Sequence, residues 1–124
     1  MNRIIGIDWG EERIGLALGD TETGVASPLT TVKSIDEIIK YVKEEDVELL
    51  VVGKPTKLSG KNDHMTEYTE FCESLEKSGI CRIVYYDERL SSKAADALNG
   101  DKKTKANRDE LAAMLILQDY LNSK

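Results

Sequence analysis

Three carboxylates that lie far apart in the chain, Asp8, Glu88 and Asp109, occupy positions suited to metal chemistry. Asp8 ends the apolar segment Ile-Ile-Gly-Ile-Asp, and Glu88 follows the segment Ile-Val-Tyr-Tyr-Asp. Asp109 opens a helical pattern whose residues three, four and seven positions later are apolar, so it shares their face. If folding brings these acids together, each pair at about 4 Å costs on the order of 4 kcal/mol at an effective dielectric near 20. Such a group needs protons or cations to relieve the repulsion.

The composition indicates which cation this would be. The only histidine is His64, and Cys72 and Cys81 stand outside any Cys-x-x-Cys pair, so we do not expect a structural zinc site. Ligands that are all oxygens favour Mg²⁺ or Mn²⁺. Two such ions can activate a water, stabilise a leaving oxygen and neutralise a phosphate, which is the chemistry of phosphodiester hydrolysis.

Simpler interpretations of the same acids remain open at this point. Asp8 could be a turn residue at a strand end. Asp109 and Glu110 could be favourable anions in the first turn of a helix. Asp87 could take the place of Glu88, because neighbouring residues of a strand face opposite sides of a sheet.

A short basic patch precedes the acid-bearing helix in a chain whose formal net charge is −6. Residues 101–108 contain one anion and four cations, which are Lys102, Lys103, Lys105 and Arg108. The net charge argues against a protein that coats nucleic acid with a broad basic surface. We expect these cations, with Arg89, to hold a phosphate backbone beside the acids. The alternatives are a solvated loop for the patch and an ion pair with a neighbouring acid for Arg89.

Changes in the spacing of apolar residues along the chain indicate the strands and helices that must position these residues. Strands are predicted at 3–10, 13–19, 25–32, 48–53 and 82–87 from runs of alternating or continuous apolar residues. Helices are predicted from the cap at Ser34 through apolar residues that continue to Val42, over about 64–78, from Ser91 or Ser92 to about Leu98, and from Asn107 to near Leu121.

The order βββαβαβαα predicts an α/β fold with a mixed five-stranded sheet: three antiparallel strands, then βαβ crossovers, with helices on the sheet faces. That order is typical of the RNase H-like superfamily. We expect a single domain over residues 1–124. The first and last strands of such a sheet run in the same direction, so the ends that carry Asp8 and Glu88 can meet.

No run of apolar residues approaches the roughly 20 needed to cross a bilayer, and the first carboxylate comes too early for a secretion signal. We therefore expect a cytoplasmic protein that has no membrane partner.

Four segments of the chain resemble the YqgF/RuvX family. They are Ile-Gly-Ile-Asp-Trp-Gly-(x)₂-Arg-Ile-Gly-Leu-Ala-Leu-(x)-Asp at 5–20, Val-Val-Gly-(x)-Pro at 51–55, Asp-Glu-Arg-Leu-Ser at 87–91, and Asp-(x)₂-Ala-Ala-(x)₂-Ile-Leu-Gln-Asp-Tyr-Leu at 109–121. Members of that family are described as Holliday junction resolvases or pre-16S rRNA nucleases with an RNase H-like fold. The resemblance implies that Asp8, Glu88 and Asp109 bind the metal ions.

The chain also departs from the family pattern near these motifs. Glu11 and Glu12 stand where a basic residue is usual, and Lys54 and Arg108 replace apolar residues. The two glutamates add negative charge near the expected metals and weaken the case for tight substrate binding there.

The function expected from the residues and the resemblance together is a metal-dependent endonuclease on structured nucleic acid. Its substrate would be the 5′ end of pre-16S rRNA, branched Holliday junction DNA, or both, and a homodimer stays open. One rival is a module that binds RNA or ribosomal partners without cleaving them. Another is an actin-like or sugar-kinase-like ATP-binding domain, which needs two such halves where 124 residues supply one.

Overall fold

A computed structural model describes residues 3–10, 12–54, 65–87 and 108–123. Its strands are β1 (Arg3–Asp8), β2 (Ile14–Asp20), β3 (Val25–Val32), β4 (Val47–Lys54) and β5 (Arg82–Asp87). Its helices are α1 (Ile35–Glu44), α2 (Met65–Ser78) and α3 (Arg108–Asn122). All eight were predicted, with ends that agree to within two residues. The predicted helix that ends near Leu98 lies outside the described residues, and the single domain stays a prediction.

The five strands form one mixed sheet in the order β3-β2-β1-β4-β5. β1 pairs antiparallel with β2, and β2 pairs antiparallel with β3. β1, β4 and β5 are mutually parallel neighbours. The predicted α/β architecture is confirmed, and the carboxyl ends of β1, β4 and β5 lie at the same edge of the sheet.

The start of α1 shows how local sequence sets an element's boundary. Ser34 has extended backbone, and its hydroxyl accepts a hydrogen bond of 3.4 Å from the Glu37 backbone N–H. In return, the Glu37 carboxylate accepts a bond of 2.9 Å from the Lys33 backbone N–H. The predicted capping pair is present, with its return bond displaced by one residue. Ile38 and Val42 of this helix are buried.

Each face of the sheet carries its own apolar core. On one face, α1 and α2 cover the alternate strand residues that include Ile5, Ile7 and Leu16. On the other face, α3 covers the intervening residues, such as Ile4 and Ala17. This division follows from the period of two in a strand, so every residue of β1 can be assigned to a face.

The α3 face of the sheet is built from small residues. A Cβ placed on Gly6 would lie 2.7 Å from Cβ of Leu117 and 2.9 Å from the carbonyl oxygen of Ala113. One placed on Gly19 would lie 2.9 Å from Cδ2 of Leu117. Helix α3 therefore packs against β1 and β2 more closely than any larger residue at these positions would permit.

A single side chain ties the far end of α3 to the edge strand. The Gln118 amide oxygen accepts a hydrogen bond of 2.9 Å from the Ala26 backbone N–H, and its amide nitrogen donates one of 2.8 Å to the Gly24 carbonyl. This pair of bonds sets the position of α3 along the sheet. Nowhere in the described ranges is a helix both long and apolar enough to cross a membrane.

Candidate active site

Asp8 is the last residue of β1 and lies on the α3 face of the sheet. It alternates with Ile4 and Gly6, both of which contact α3. In the antiparallel pairing with β2, Asp8 stands directly opposite Gly15. The side chain of Asp8 is half-buried at the sheet edge where the parallel strands end.

Asp109 lies in the first turn of α3, directly above the same glycine. A Cβ built on Gly15 would overlap the carbonyl group of Asp109 and lie 2.9 Å from its Cβ. Facing residues of an antiparallel pair have Cα atoms about 5 Å apart. Asp8 and Asp109 therefore flank one glycine on one face of the sheet, as neighbours from the two ends of the chain.

Arg13 adds a cation to this site that the sequence interpretation did not include. Its Nε atom lies 3.2 Å from Oδ2 of Asp109. The side chains are 60% and 27% exposed, respectively. With Gly10 and Glu12, these two residues line an open cleft of about 290 Å³.

A second acid in the first turn of α3 has a structural contact. The Glu110 carboxylate accepts a hydrogen bond of 3.1 Å from the Thr31 hydroxyl at the end of β3. Both Asp109 and Glu110 gain from the positive end of the helix dipole, as the simpler interpretation required. Only Asp109 lies over Gly15 and faces the cleft, so the two acids differ in what surrounds them.

The third predicted acid, Glu88, lies outside the described residues. β5 ends one residue earlier, at Asp87, whose backbone pairs with Lys54. Tyr86 faces α3, where its ring packs edge-on against Tyr120 with centroids 6.2 Å apart. Since β4 alone separates β1 from β5, the ends of these strands lie about 10 Å apart. The choice between Asp87 and Glu88 stays open.

The cationic residues predicted to bind substrate also lie outside the described part of the chain. Arg89, Lys102, Lys103 and Lys105 lie outside the described residues, as does the side chain of Arg108. Their assignment to a phosphate backbone stays a prediction.

Trp9, which follows Asp8, packs into the opposite face of the sheet. Its ring centroid lies 5.7 Å from that of Tyr68 and 6.5 Å from that of Phe71, both on α2. Tyr68 in turn donates a buried hydrogen bond of 3.1 Å to the Gly53 carbonyl at the end of β4. These contacts fix the chain where it leaves β1, and with it the backbone of Asp8.

The residues at this edge fit a hard divalent cation. Asp8 and Asp109 offer only carboxylate oxygens, the donors that Mg²⁺ and Mn²⁺ prefer. Across the described ranges, no group of three histidine, cysteine or acidic side chains is close enough to hold a metal ion. Two of the three predicted ligands are thus neighbours, and the third, Glu88, lies outside the described residues.

The small residues of β2 at this site had a signal in the sequence. Gly15, Ala17 and Gly19 alternate on one face of β2, and such a row of small residues indicates a helix in close contact. The pairing of Arg13 with Asp109, by contrast, had no periodic signal, because the two residues lie 96 positions apart in the chain.

Comparison with known proteins shows which family this chain resembles. The family model described as "RuvX: Holliday junction resolvase" matches residues 2–123. A protein of Amoebophilus asiaticus named "Putative pre-16S rRNA nuclease" is 39% identical over 99% of this chain and 96% of its own length. A protein of the same name from Bacteroides fragilis is 36% identical over 100% of this chain and 99% of its own length.

A solved structure shares the fold. It is a RuvC of T. thermophilus in complex with a Holliday junction substrate, with a TM-score of 0.70 and 12% identity over 99% of this chain and 95% of that one. This likeness supports the RNase H-like architecture expected from the strand order. The match to the family model over nearly the whole length identifies the protein: this chain belongs to the RuvX family.

Proposed function

We propose that this chain is a divalent-metal-dependent endonuclease that hydrolyses phosphodiester bonds in structured nucleic acid. The observation that carries the proposal is the meeting of Asp8 and Asp109 on either side of Gly15, at the carboxyl edge of the parallel strands. Two acids from opposite ends of the chain share a half-buried edge that opens into a cleft. The family's names as resolvases and pre-16S rRNA nucleases favour precursor ribosomal RNA or a four-way DNA junction as substrate.

In this proposal Asp8, Asp109 and Glu88 hold Mg²⁺ or Mn²⁺. When bound, the ions supply a water nucleophile at neutral pH and charge neutralisation at the scissile phosphate. β1 and α3 hold the two described acids close to each other, because Asp8 pairs with Gly15 across the sheet and Asp109 of α3 rests on the same glycine. Strands alternate their faces, so we expect Glu88 on the same side as Tyr86, which faces α3.

The basic residues belong to the substrate side of the site. Lys102, Lys103 and Lys105 precede α3 in the chain, Arg108 is its first residue, and Arg89 follows Glu88 directly. We assign them to the phosphate backbone, where each contact makes binding weaker as salt rises. A ribosomal RNA precursor would be met in the cytoplasm, which is where we place the protein.

A cleavage assay with matched variants tests this function. Purified protein is incubated with a hairpin RNA that carries the 5′ flank of 16S rRNA and with a four-way DNA junction, in Mg²⁺, Mn²⁺ or EDTA. We expect cleavage of at least one substrate with metal, none with EDTA and none with Asp8→Asn. Asp119→Asn is the matched control, since it makes the same change on α3 about 15 Å along the helix from Asp109.

The rivals predict different results in the same assay. A binding module would retain both nucleic acids without cutting either in any metal. An ATP-binding domain would turn over ATP and ignore the nucleic acids. Either result with wild-type protein would contradict the nuclease proposal.

A further inference from the structure

A contribution to folding stability does not explain why Arg13 lies beside Asp109. The Arg13 side chain is 60% exposed and makes no hydrogen bond to the buried Oδ2 of Asp109, so the ion pair contributes little to folding. The guanidinium also stands beside an acid that we assign to metal, where a fixed positive charge competes with the cation. A residue in this position calls for a role in the site itself.

The shape of the guanidinium leaves most of its donors available. Arginine has five N–H donors in a planar fork, and Nε lies 3.2 Å from Asp109 Oδ2 without donating a hydrogen bond to it. The exposed part of the side chain lines the cleft of about 290 Å³ that it shares with Gly10, Glu12 and Asp109. A planar fork beside an open cleft suits a phosphate group, which can accept two parallel N–H bonds from it.

The turn before β2 holds Arg13 at the cleft. A Cβ on Gly10 would lie 2.5 Å from the carbonyl oxygen of Arg13, so the turn closes to this degree only with glycine at position 10. Glu12 is exposed on the same cleft, and its charge opposes an anionic ligand. Arg13 is therefore the cation by which the described part of this cleft could attract a phosphate.

We propose that Arg13 is a substrate-binding residue that contacts a backbone phosphate of the nucleic acid in this cleft, with Asp109 orienting its guanidinium. The assignment rests on the proposed nuclease function. In metal-free protein the guanidinium offsets the charge of Asp109. A cation bound at that carboxylate would weaken the attraction between the two side chains and would leave the terminal nitrogens available to the phosphate.

Binding measurements without turnover test the assignment. Fluorescence anisotropy gives the affinity of full-length protein for a labelled four-way DNA junction and a labelled hairpin RNA, in Ca²⁺, over a series of salt concentrations. Arg13→Gln should weaken binding roughly threefold to tenfold and reduce the slope of log affinity against log salt by about 1. Arg13→Lys should keep the slope and recover part of the affinity. If Arg13→Gln loses affinity for both probes, Arg13 contacts the phosphate backbone that DNA and RNA share. If it loses affinity for one probe, Arg13 contacts that nucleic acid.

Arg82→Gln is the matched control. Arg82 is an exposed arginine at the amino end of β5, the opposite edge of the sheet from the site. The Arg82→Gln variant should bind both probes with the affinity and the salt slope of wild type. If Arg13→Gln also matches wild type in affinity and salt slope, the assignment of Arg13 is overturned while metal-dependent cleavage by wild type stands. A wild type that binds neither probe would overturn the nuclease function itself.

A direct metal titration supplies an independent readout. By calorimetry, Arg13→Gln should bind Mn²⁺ about twofold to fivefold more tightly than wild type, because a competing cation is gone. Weaker Mn²⁺ binding would mean that Arg13 builds the metal site instead of contacting substrate, and would overturn the proposal. Thermal melts of Arg13→Gln and Arg82→Gln confirm that both variants are folded.

Discussion

The backbone of Asp109 rests on Gly15, with no room for a side chain between them. This contact is what makes two acids from opposite ends of the chain into neighbours, because Gly15 is also the strand partner of Asp8. The proposed metal binding and the helix packing therefore depend on the same few atoms.

Replacing Gly15 should weaken both the packing of α3 and the binding of metal. We expect Gly15→Ala to lower the free energy of unfolding by about 1–3 kcal/mol, since the added methyl group must push α3 from the sheet, and to abolish Mn²⁺ binding measured by calorimetry. Gly24→Ala is the control: position 24 has a positive φ of 71° but nothing within 4 Å of the added Cβ. It should lose some stability and keep Mn²⁺ binding. Intact Mn²⁺ binding in Gly15→Ala would count against the shared site.

Removing the charge of Asp8 should separate function from stability. Asp8→Asn should abolish cleavage yet leave the metal-free protein as stable as wild type or slightly more so, because one of two neighbouring like charges is gone. Urea unfolding in EDTA measures this. A loss of several kcal/mol would instead identify Asp8 as a structural hydrogen-bonding residue.

Metal should stabilise the folded chain through the same residue. At a free Mn²⁺ concentration 100 times the dissociation constant, a single site adds about 2.7 kcal/mol. Thermal melts with and without Mn²⁺ should show a rise for wild type and Asp119→Asn and none for Asp8→Asn. Equal rises in all three proteins would place the ion elsewhere.

The two hydrogen bonds that Gln118 makes with the backbone of Ala26 and Gly24 allow an isosteric test of how α3 is positioned. Gln118→Glu can still accept from the Ala26 backbone N–H but cannot donate to the Gly24 carbonyl. We expect a loss of about 1–2 kcal/mol in unfolding free energy, since a carbonyl loses its donor and faces a carboxylate. Hydrogen exchange at Ala26 should remain slow in Gln118→Glu and become faster in Gln118→Ala. Equal exchange in the two variants would contradict the assigned bonds.

Alkaline pH should weaken the α2 side of the sheet. Burial raises the pKa of the Cys72 and Cys81 thiols above their ordinary value of 9.0, and it raises the pKa of the Tyr85 phenol above 10.0, aided by the hydrogen bond to Glu76. Folding therefore favours the neutral forms. Their contribution to stability is fully present below about pH 9 and is lost as pH rises through the raised values.

Urea unfolding between about pH 8 and pH 11 measures this loss. Tyr85→Phe, which keeps the ring and removes the titrating hydroxyl, should show a shallower decline than wild type above about pH 10. The same slope in both proteins would mean that Tyr85 does not contribute.

Local patterns predicted the elements well and their contacts less well. The alternation in β1 gave the face of Asp8, and the Ser34–Glu37 pair gave the start of α1 within one residue. β4 extends beyond its apolar run at both ends because its parallel neighbours pair with Val47 and Lys54. Pairing of this kind depends on other strands and is invisible in the segment itself.

The candidate site, too, could be predicted from the sequence only in part. The strand end of Asp8 and the inward helix face of Asp109 were predicted from period alone. Ala113 is buried as expected, but Ala112 is only half-buried, because the helix turns a narrower face to the sheet than its pattern suggested. The pairing of Arg13 with Asp109 depends on how α3 docks, which no local period encodes.

The small residues on the α3 face have a consequence for how sequences of this kind can change over time. Leucine, isoleucine and valine can replace one another on the α1 and α2 face with modest cost, so that face is free to drift. Gly6, Gly15 and Gly19 have no smaller substitute and no space for a larger one. We expect mutational scanning to find the two sides of one sheet unequal, one tolerant and one nearly fixed.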